Sequence, residues 1–218
     1  MAMMVFKFVL VAVAAYFLGC CNGSILVSKF LLHDDIRQHG SGNAGLTNFY
    51  RVFGGKSTIL VIIIDMGKAF AAVGIGALVI NSTATLGIPM LGKLWAAVFV
   101  MLGHDFPVMF GFKGGKGVLS GGAMTLALDW RVALLCWGAF LILFLITRYV
   151  SLGSIAAGVA FIVAMIIFYP YWQDLITGTF CALLLIWGHR GNISRLIHGT
   201  ERKFSFHRDK DKEGETSE

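Results

Sequence analysis

The chain has 218 residues, 57% of them hydrophobic and 14% charged, with 27 glycines, three prolines and a net charge of +6. Its mean hydropathy is +0.77, whereas soluble domains carry about 25% charged residues. That composition excludes a water-facing enzyme, a disordered chain and a disulfide-stapled secreted domain, and leaves a small polytopic membrane protein.

Apolar runs fall at 4–27, 58–80, 90–110, 118–129, 132–147, 153–169 and 175–188. A spanning helix needs ~20 apolar residues, which the first two reach. The fourth is short and carries Gly121-Gly122; a short span persists in a bilayer only where protein or a water-filled cavity satisfies its backbone. The expected fold is therefore an all-α, polytopic membrane helix bundle of about seven transmembrane helices, the fourth short. Residues 1–205 form one membrane-embedded domain, and 206–218 form a charged, disordered cytoplasmic tail. Lys7 and the run ending Phe17-Leu18-Gly19-Cys20 loosely resemble a lipoprotein cleavage site. A single basic residue and a bulky Phe17 favour a first helix that stays attached. Cys20, Cys21, Cys136 and Cys181 have no CxxC spacing and read as buried small hydrophobes.

Charge placement gives an orientation. Half of the twelve acids lie in the last eighteen residues. Nucleic-acid binding would explain a basic balance, but topology explains it more simply. With the N-terminus outside, Lys29, Arg37, Arg51, Lys56, Lys113, Lys116, Arg148 and the seven basic residues beyond the last span all face the cytoplasm. Only Lys7, Lys93 and Arg131 face outward, and Lys68 lies within a span. The C-terminus is then cytoplasmic, and no nucleic-acid partner is expected.

Three polar stretches abut inner span ends: Gly40 to Arg51, Gly103 to Pro107 running on to Phe112 through Gly117, and His189 to Leu196 ending at Gly199 to Lys203. They can therefore converge on one membrane-level site. Glycines between polar residues let backbone N–H groups form an anion nest. Lys113 and Lys116 add point charges, and Arg51 offers a forked phosphate contact. The short span after Lys116 would aim its N-terminal dipole at the same place. These features suit phosphate, one group or two. Gly40-x-Gly42-x-x-Gly45 matches the dinucleotide fingerprint without its βαβ context, and Lys113-Gly-Gly-Lys116-Gly lacks the Ser or Thr of a Walker loop. Asp65 and Lys68, at i,i+3 within the second span, read as an intramembrane pair. His104 and Asp105 are adjacent and form no H-x-x-x-x-D pair. Helix capping accounts for one of Ser151 and Ser154, leaving Ser154 as a substrate contact. No metal, no organic cofactor and no obligate protein partner is expected. The alternative class is a transporter or channel for phosphate or a phosphorylated solute; of the mid-membrane polar groups it needs, only Asp65 and Lys68 are present.

With Ser41-Gly42-Asn43 through Asn48 and Arg51, Gly103-His104-x-Phe106-Pro107 with Phe112-Lys113-Gly114-Gly115-Lys116-Gly117, and His189-Arg190-x-Asn192-Ile193-x-Arg195-Leu196, the chain resembles the bacterial acyl-phosphate:glycerol-3-phosphate acyltransferase family. Asp65-x-x-Lys68, Tyr149 to Ser154 and Gly199-x-Glu201-x-Lys203 extend the resemblance to about residue 205. Ala44 stands where the family usually has Pro, and Leu46 where it usually has Ala. The resemblance implies an enzyme of the bacterial cytoplasmic (inner) membrane with its active site on the cytoplasmic side. Such enzymes move a fatty acyl group from acyl phosphate to the 1-hydroxyl of glycerol 3-phosphate. The products are lysophosphatidic acid and phosphate, at the entry to phospholipid synthesis, and no coenzyme A or carrier-protein ester is used. The acyl chain would arrive laterally from the lipid bilayer. Ser41, Gly42, Asn43 and Lys113 would then cradle the donor phosphate, while Arg51, Lys116, His189 and Asn192 position glycerol 3-phosphate, with Ser154 as a further contact. Thr47, Asn48, Gly114 and Gly115 complete the substrate-binding loops. Ser41, Lys116 and His189 form the catalytic set, with Lys116 neutralising the departing phosphate. His189 has the intrinsic pKa of a general base, but acyl phosphate is activated enough for a substrate phosphate oxygen to take the proton instead. Of the two, the substrate-assisted version is favoured, with His189 orienting the acceptor. Nothing activates Ser41 as a nucleophile, so transfer is direct, without an acyl-enzyme.

Overall fold

The computed structural model describes residues 1–81 and 87–205, which are helical with no strand among them. The long helices are α1 (Ala2–Cys20), α4 (Ser57–Gly76), α5 (Leu91–Asp105), α6 (Val118–Leu128), α7 (Trp130–Thr147), α8 (Val150–Phe168) and α9 (Trp172–Gly188). Each coincides with one of the seven apolar runs. Three short ones, α2 (Gly23–Leu26), α3 (Leu46–Phe53) and α10 (Arg190–Ile197), lie between or after them. Among the described residues, five helices are long and apolar enough to cross a membrane, and α6 is a shorter apolar helix. Large side chains such as Phe6, Val13, Ile63, Leu141, Leu145 and Ile166 are exposed on the outside of the bundle. Such a surface would drive aggregation in water but matches hydrocarbon. The expected tail at 206–218 lies outside the described residues.

Differences from the expected segments have local causes. The first run ends at Cys20, because Asn22 turns out of helix and its Oδ1 caps the Ile25 N–H at 3.1 Å. Gly121-Gly122 does not break α6; it makes room, since a Cβ on Gly122 would meet the Trp137 ring at 2.9 Å. Stretches read as loops contain α3 and α10. In α3, Leu46, Phe49 and Phe53 pack with Ile25, Ile36 and Val61. Neither Ser151 nor Ser154 caps α8, and Cys21 is only partly buried.

α5 is the most enclosed of the long helices. It crosses α1 where Gly19 and Gly103 face each other, and a Cβ on Gly103 would strike the Tyr16 carbonyl and reach Gly19 Cα at 2.9 Å. Gly76 and Gly92 bring α4 equally close. Small residues are how membrane helices gain backbone-to-backbone packing. Around α5 lie an α1/α4/α5 core (Val11, Ala15, Ala72, Ala96, Val100) and a larger core shared by α5 to α9.

The Asp65–Lys68 pair forms at 2.7 Å and is buried. It spans the break between α1 and α2. Lys68 Nζ donates to the Gly19 and Cys21 carbonyls at 3.2 and 3.1 Å, while Asp65 Oδ1 accepts the Gly23 N–H at 3.0 Å. A cation thus covers orphan carbonyls and an anion covers an orphan amide, as the helix dipoles require. Lys68 Nζ also lies 2.8 Å from His104 Nδ1, tying this plug to the end of α5.

Candidate active site

Two glycine-rich loops meet at one end of the bundle. In the first, Gly40 and Gly42 take φ of +60° and +71°, which L side chains avoid. Asn48, placed by α3 and 3% exposed, staples this loop. Its Nδ2 donates to the His39 and Asn43 carbonyls at 3.1 and 3.0 Å, and its Oδ1 accepts the Ser41 N–H at 2.9 Å. In the second loop, the Gly114 and Gly115 N–H groups fold back on the Asp105 and His104 carbonyls, each at 3.1 Å. The loops are joined where the Ala44 N–H donates to the Gly114 carbonyl at 3.4 Å. A proline at 44 would have no N–H to give, so the alanine here is what allows this tie between the loops.

These bonds correct the nest. The Ser41, Gly42 and Ala44 amides are spent within the loops, so they do not point at an anion. Unused donors sit instead at the N-termini of α3 and α6, neither of which has a side-chain cap. Both termini line the cavity described below and offer first-turn N–H groups with the positive end of a dipole.

The third stretch supplies a hydrogen-bonded chain. Lys116 Nζ donates to Asn192 Oδ1, and Asn192 Nδ2 donates to Glu201 Oε1 at 2.6 Å. Glu201 also accepts Ser151 Oγ and Arg195 Nε, each at 2.7 Å. Burial pushes the Glu201 carboxyl up, but these three donors outweigh it and hold the group below the usual carboxylate range. Burial draws Lys116 below an ordinary lysine, reinforced by Arg195 and Arg190 and opposed by Glu201. His189 follows α9 and is 3% exposed. Burial, aided by the Lys116 charge and opposed by a hydrogen bond to Leu185, lowers its pKa to about 4. Its Nδ1 lies 2.8 Å from the Leu185 carbonyl, which only accepts. Nδ1 therefore carries the proton, and Nε2 keeps its lone pair.

A cavity of about 970 Å³ unites these parts. Its polar mouth takes in Ser41, Gly42, Asn43, Thr47, Asn48, Arg51, Gly115, Lys116, Ser154, His189 and Asn192. Its interior runs between α5 and α9 past Met101, Met124, Trp137, Phe161 and Ala182. Two expected residues are not brought in: Lys113 and Gly114 lie off the cavity wall, and Lys113 is exposed. The chain turns inward only after the Gly114 and Gly115 amides have bonded back to α5. Ser154 lines the wall, but its hydroxyl donates to its own helix at the Val150 carbonyl, 2.8 Å away. Glu201, His104 and Asp105 also line the wall; they belong to the converging polar stretches, but sequence reasoning assigned them no part in the site. Their one signal was membership of those stretches.

Residues 9–199 match the model of the family described as glycerol-3-phosphate acyltransferase. The chain belongs to this family. The glycerol-3-phosphate acyltransferase of Thermoanaerobacter sp. (strain X514) is 37% identical over 195 residues, covering 89% of this chain and 94% of the relative. That of Salinibacter ruber (strain DSM 13855 / M31) is 39% identical over 206 residues, covering 88% and 90%. The crystal structure of PlsY, an integral membrane glycerol 3-phosphate acyltransferase, in its glycerol 3-phosphate form superposes with a TM-score of 0.80 at 36% identity, covering 91% of this chain and 96% of PlsY. The lysophosphatidic acid form of PlsY gives a TM-score of 0.77 at 34% identity over the same shares. The chain is thus a multi-pass membrane acyltransferase, and the transporter alternative falls away.

Proposed function

We propose that this acyltransferase moves a fatty acyl group from acyl phosphate to the 1-hydroxyl of glycerol 3-phosphate, releasing lysophosphatidic acid and inorganic phosphate. One observation carries the reading: a cation-lined mouth, with two uncapped helix N-termini, opens directly into an apolar interior. An acyl phosphate has that polarity from end to end, with its chain in the interior and its phosphate in the mouth. Ser41, Asn43 and the α6 terminus hold the donor phosphate; Arg51, Asn192 and the α3 terminus hold that of the acceptor.

Transfer is direct. The acceptor oxygen attacks the acyl carbon, a new C–O bond forms, and the bond from the acyl carbon to the phosphate oxygen breaks. Lys116 lies between the two phosphates and neutralises charge on the one that leaves, a contribution of several kcal/mol in such sites. The Nε2 lone pair of His189 receives the attacking hydroxyl and aims it. A pKa of about 4 makes His189 a weak base, so a phosphate oxygen takes the proton. The reaction is the first step of phospholipid synthesis. It runs in the bacterial cytoplasmic membrane, with seven spans, an external N-terminus and the site facing the cytoplasm. The deciding experiment mixes purified protein in detergent with an acyl phosphate and glycerol 3-phosphate. Lysophosphatidic acid is expected by mass spectrometry, with no product from coenzyme A or carrier-protein esters; its absence with acyl phosphate overturns the reading.

A further inference from the structure

Asp105, the last residue of α5, is used by no step above. It is 6% exposed, and its Oδ1 is buried without a hydrogen-bond partner. The residue nevertheless lines the cavity. Its place is fixed: the Asp105 carbonyl accepts the Gly114 N–H at 3.1 Å, and the bare α-carbon of Gly117 faces the carboxyl, where a Cβ would stand 3.6 Å from Oδ1. The cations whose charge it feels most are Lys68 and Lys116. Among the described residues, however, none stands within ion-pair distance of it: Lys68 is committed to Asp65 and His104, and Lys116 to Asn192.

A buried carboxyl oxygen without a donor costs free energy and marks a missing partner. The chemistry of the cavity narrows what that partner is. The orphaned oxygen calls for a hydrogen-bond donor, and an ionised phosphate has none to give, so neither phosphate group satisfies it. The acyl chain has no donor. What remains is a hydroxyl. The acceptor of the proposed reaction has two, and the attacking one already faces His189.

We propose that Asp105 accepts a hydrogen bond from the non-reacting hydroxyl of the acceptor, and so selects polyol phosphates with two adjacent hydroxyls. This rests on the acceptor assignment above. It makes Asp105, at the open position of the Gly103-His104-x-Phe106-Pro107 motif, a specificity residue of this chain.

The test compares two acceptors, glycerol 3-phosphate and 3-hydroxypropyl phosphate, which keeps the phosphate and the attacking hydroxyl but lacks the second one. Wild type, Asp105→Asn and Asp105→Leu are assayed with the same acyl phosphate. Wild type should favour glycerol 3-phosphate in kcat/KM by at least about tenfold, because a site built for a hydroxyl rejects the analogue lacking it. Asp105→Leu should bring that ratio to within about twofold by losing activity on glycerol 3-phosphate alone. Asp105→Asn, whose carboxamide oxygen still accepts, should keep most of the preference. Thermal unfolding in detergent should place Asp105→Leu at or above wild type, since an orphaned acceptor has been removed. An unchanged ratio in Asp105→Leu, a parallel fall with both acceptors, a wild type without preference, or an Asp105→Leu protein that unfolds each overturns the assignment. A wild type that acylates neither acceptor overturns the acyltransfer reading itself, and this inference with it.

Discussion

Asn192 donates from its amide nitrogen to Glu201 at 2.6 Å and accepts from Lys116 at its carbonyl oxygen. A carboxylate can only accept, so this pairing fixes which way the Asn192 carboxamide faces. The orientation of the lysine at the heart of the site is thereby set by a glutamate that does not touch it.

Replacing Glu201 with Gln tests that relay. A glutamine amide can donate as well as accept, so Asn192 becomes free to flip, and Arg195 is left with a weaker acceptor. The expected result is a fall of about 10- to 100-fold in kcat/KM with a stability loss of roughly 1–3 kcal/mol. Acyl transfer near the wild-type rate would dismiss the relay.

His189→Gln separates orientation from proton abstraction. Removing a general base costs about 10²- to 10⁴-fold. Here kcat should fall less than about tenfold, since glutamine can still accept from the hydroxyl. The same variant has a pH signature. Burial holds native His189 near 4 against an ordinary 6.5, so on acidification the unfolded chain takes the proton first. Stability from this residue is complete above about 6.5 and is lost as pH falls toward 4, by at most roughly 3 kcal/mol. Unfolding midpoints in detergent between pH 4.5 and 7.5 should show that slope in wild type and less of it in His189→Gln.

Two glycine-to-alanine changes should have opposite signs. At Gly103 a Cβ strikes the α1 backbone, whereas at Gly67 it meets nothing within 4 Å. Gly103→Ala should destabilise by roughly 2–4 kcal/mol, because backbone cannot yield as a side chain does. Gly67→Ala should gain up to about 1 kcal/mol from helix propensity. Parallel thermal scans decide both.

Ala182 lies in the apolar depth of the cavity on α9 and is buried. Leucine there fills cavity space that the proposed reaction gives to the donor chain, whose burial is worth about 0.8 kcal/mol per methylene. Competing acyl phosphates of different length should show Ala182→Leu preferring chains shorter by roughly two to four carbons. An unaltered length profile would place the acyl chain elsewhere.

The long helices were legible because lipid is a uniform solvent: an apolar run longer than the barrier has one stable conformation. α3 and α10 were hidden by their length. Eight residues carry too little periodicity to stand out, although Leu46, Phe49 and Phe53 repeat at helical spacing. Convergence of three polar stretches was readable from their common side of the membrane, but which groups face inward was not. Lys113 and Lys116 are equivalent as letters. Two backbone bonds from Gly114 and Gly115 to α5 separate them, and such bonds have no sequence signature. For the same reason the glycine loop was read as an anion nest, when its Ser41, Gly42 and Ala44 amides close on Asn48, His39 and Gly114 and the free donors lie at the ends of α3 and α6. Asp105 and Glu201 acquire meaning only from partners, or the lack of one, brought close by tertiary structure.

The Asp65–Lys68 plug also bears on the order of assembly. Lys68 lies 47 residues beyond Cys21, so the first helix leaves the ribosome well before the ammonium that covers its final carbonyls. Until that lysine enters the bilayer, the kink after Cys20 has backbone groups that hydrocarbon cannot solvate. The bent end of α1 is therefore satisfied only with α4 beside it, so the glycine-rich loop that follows depends on a helix made later in synthesis and not on the N-terminal segments alone.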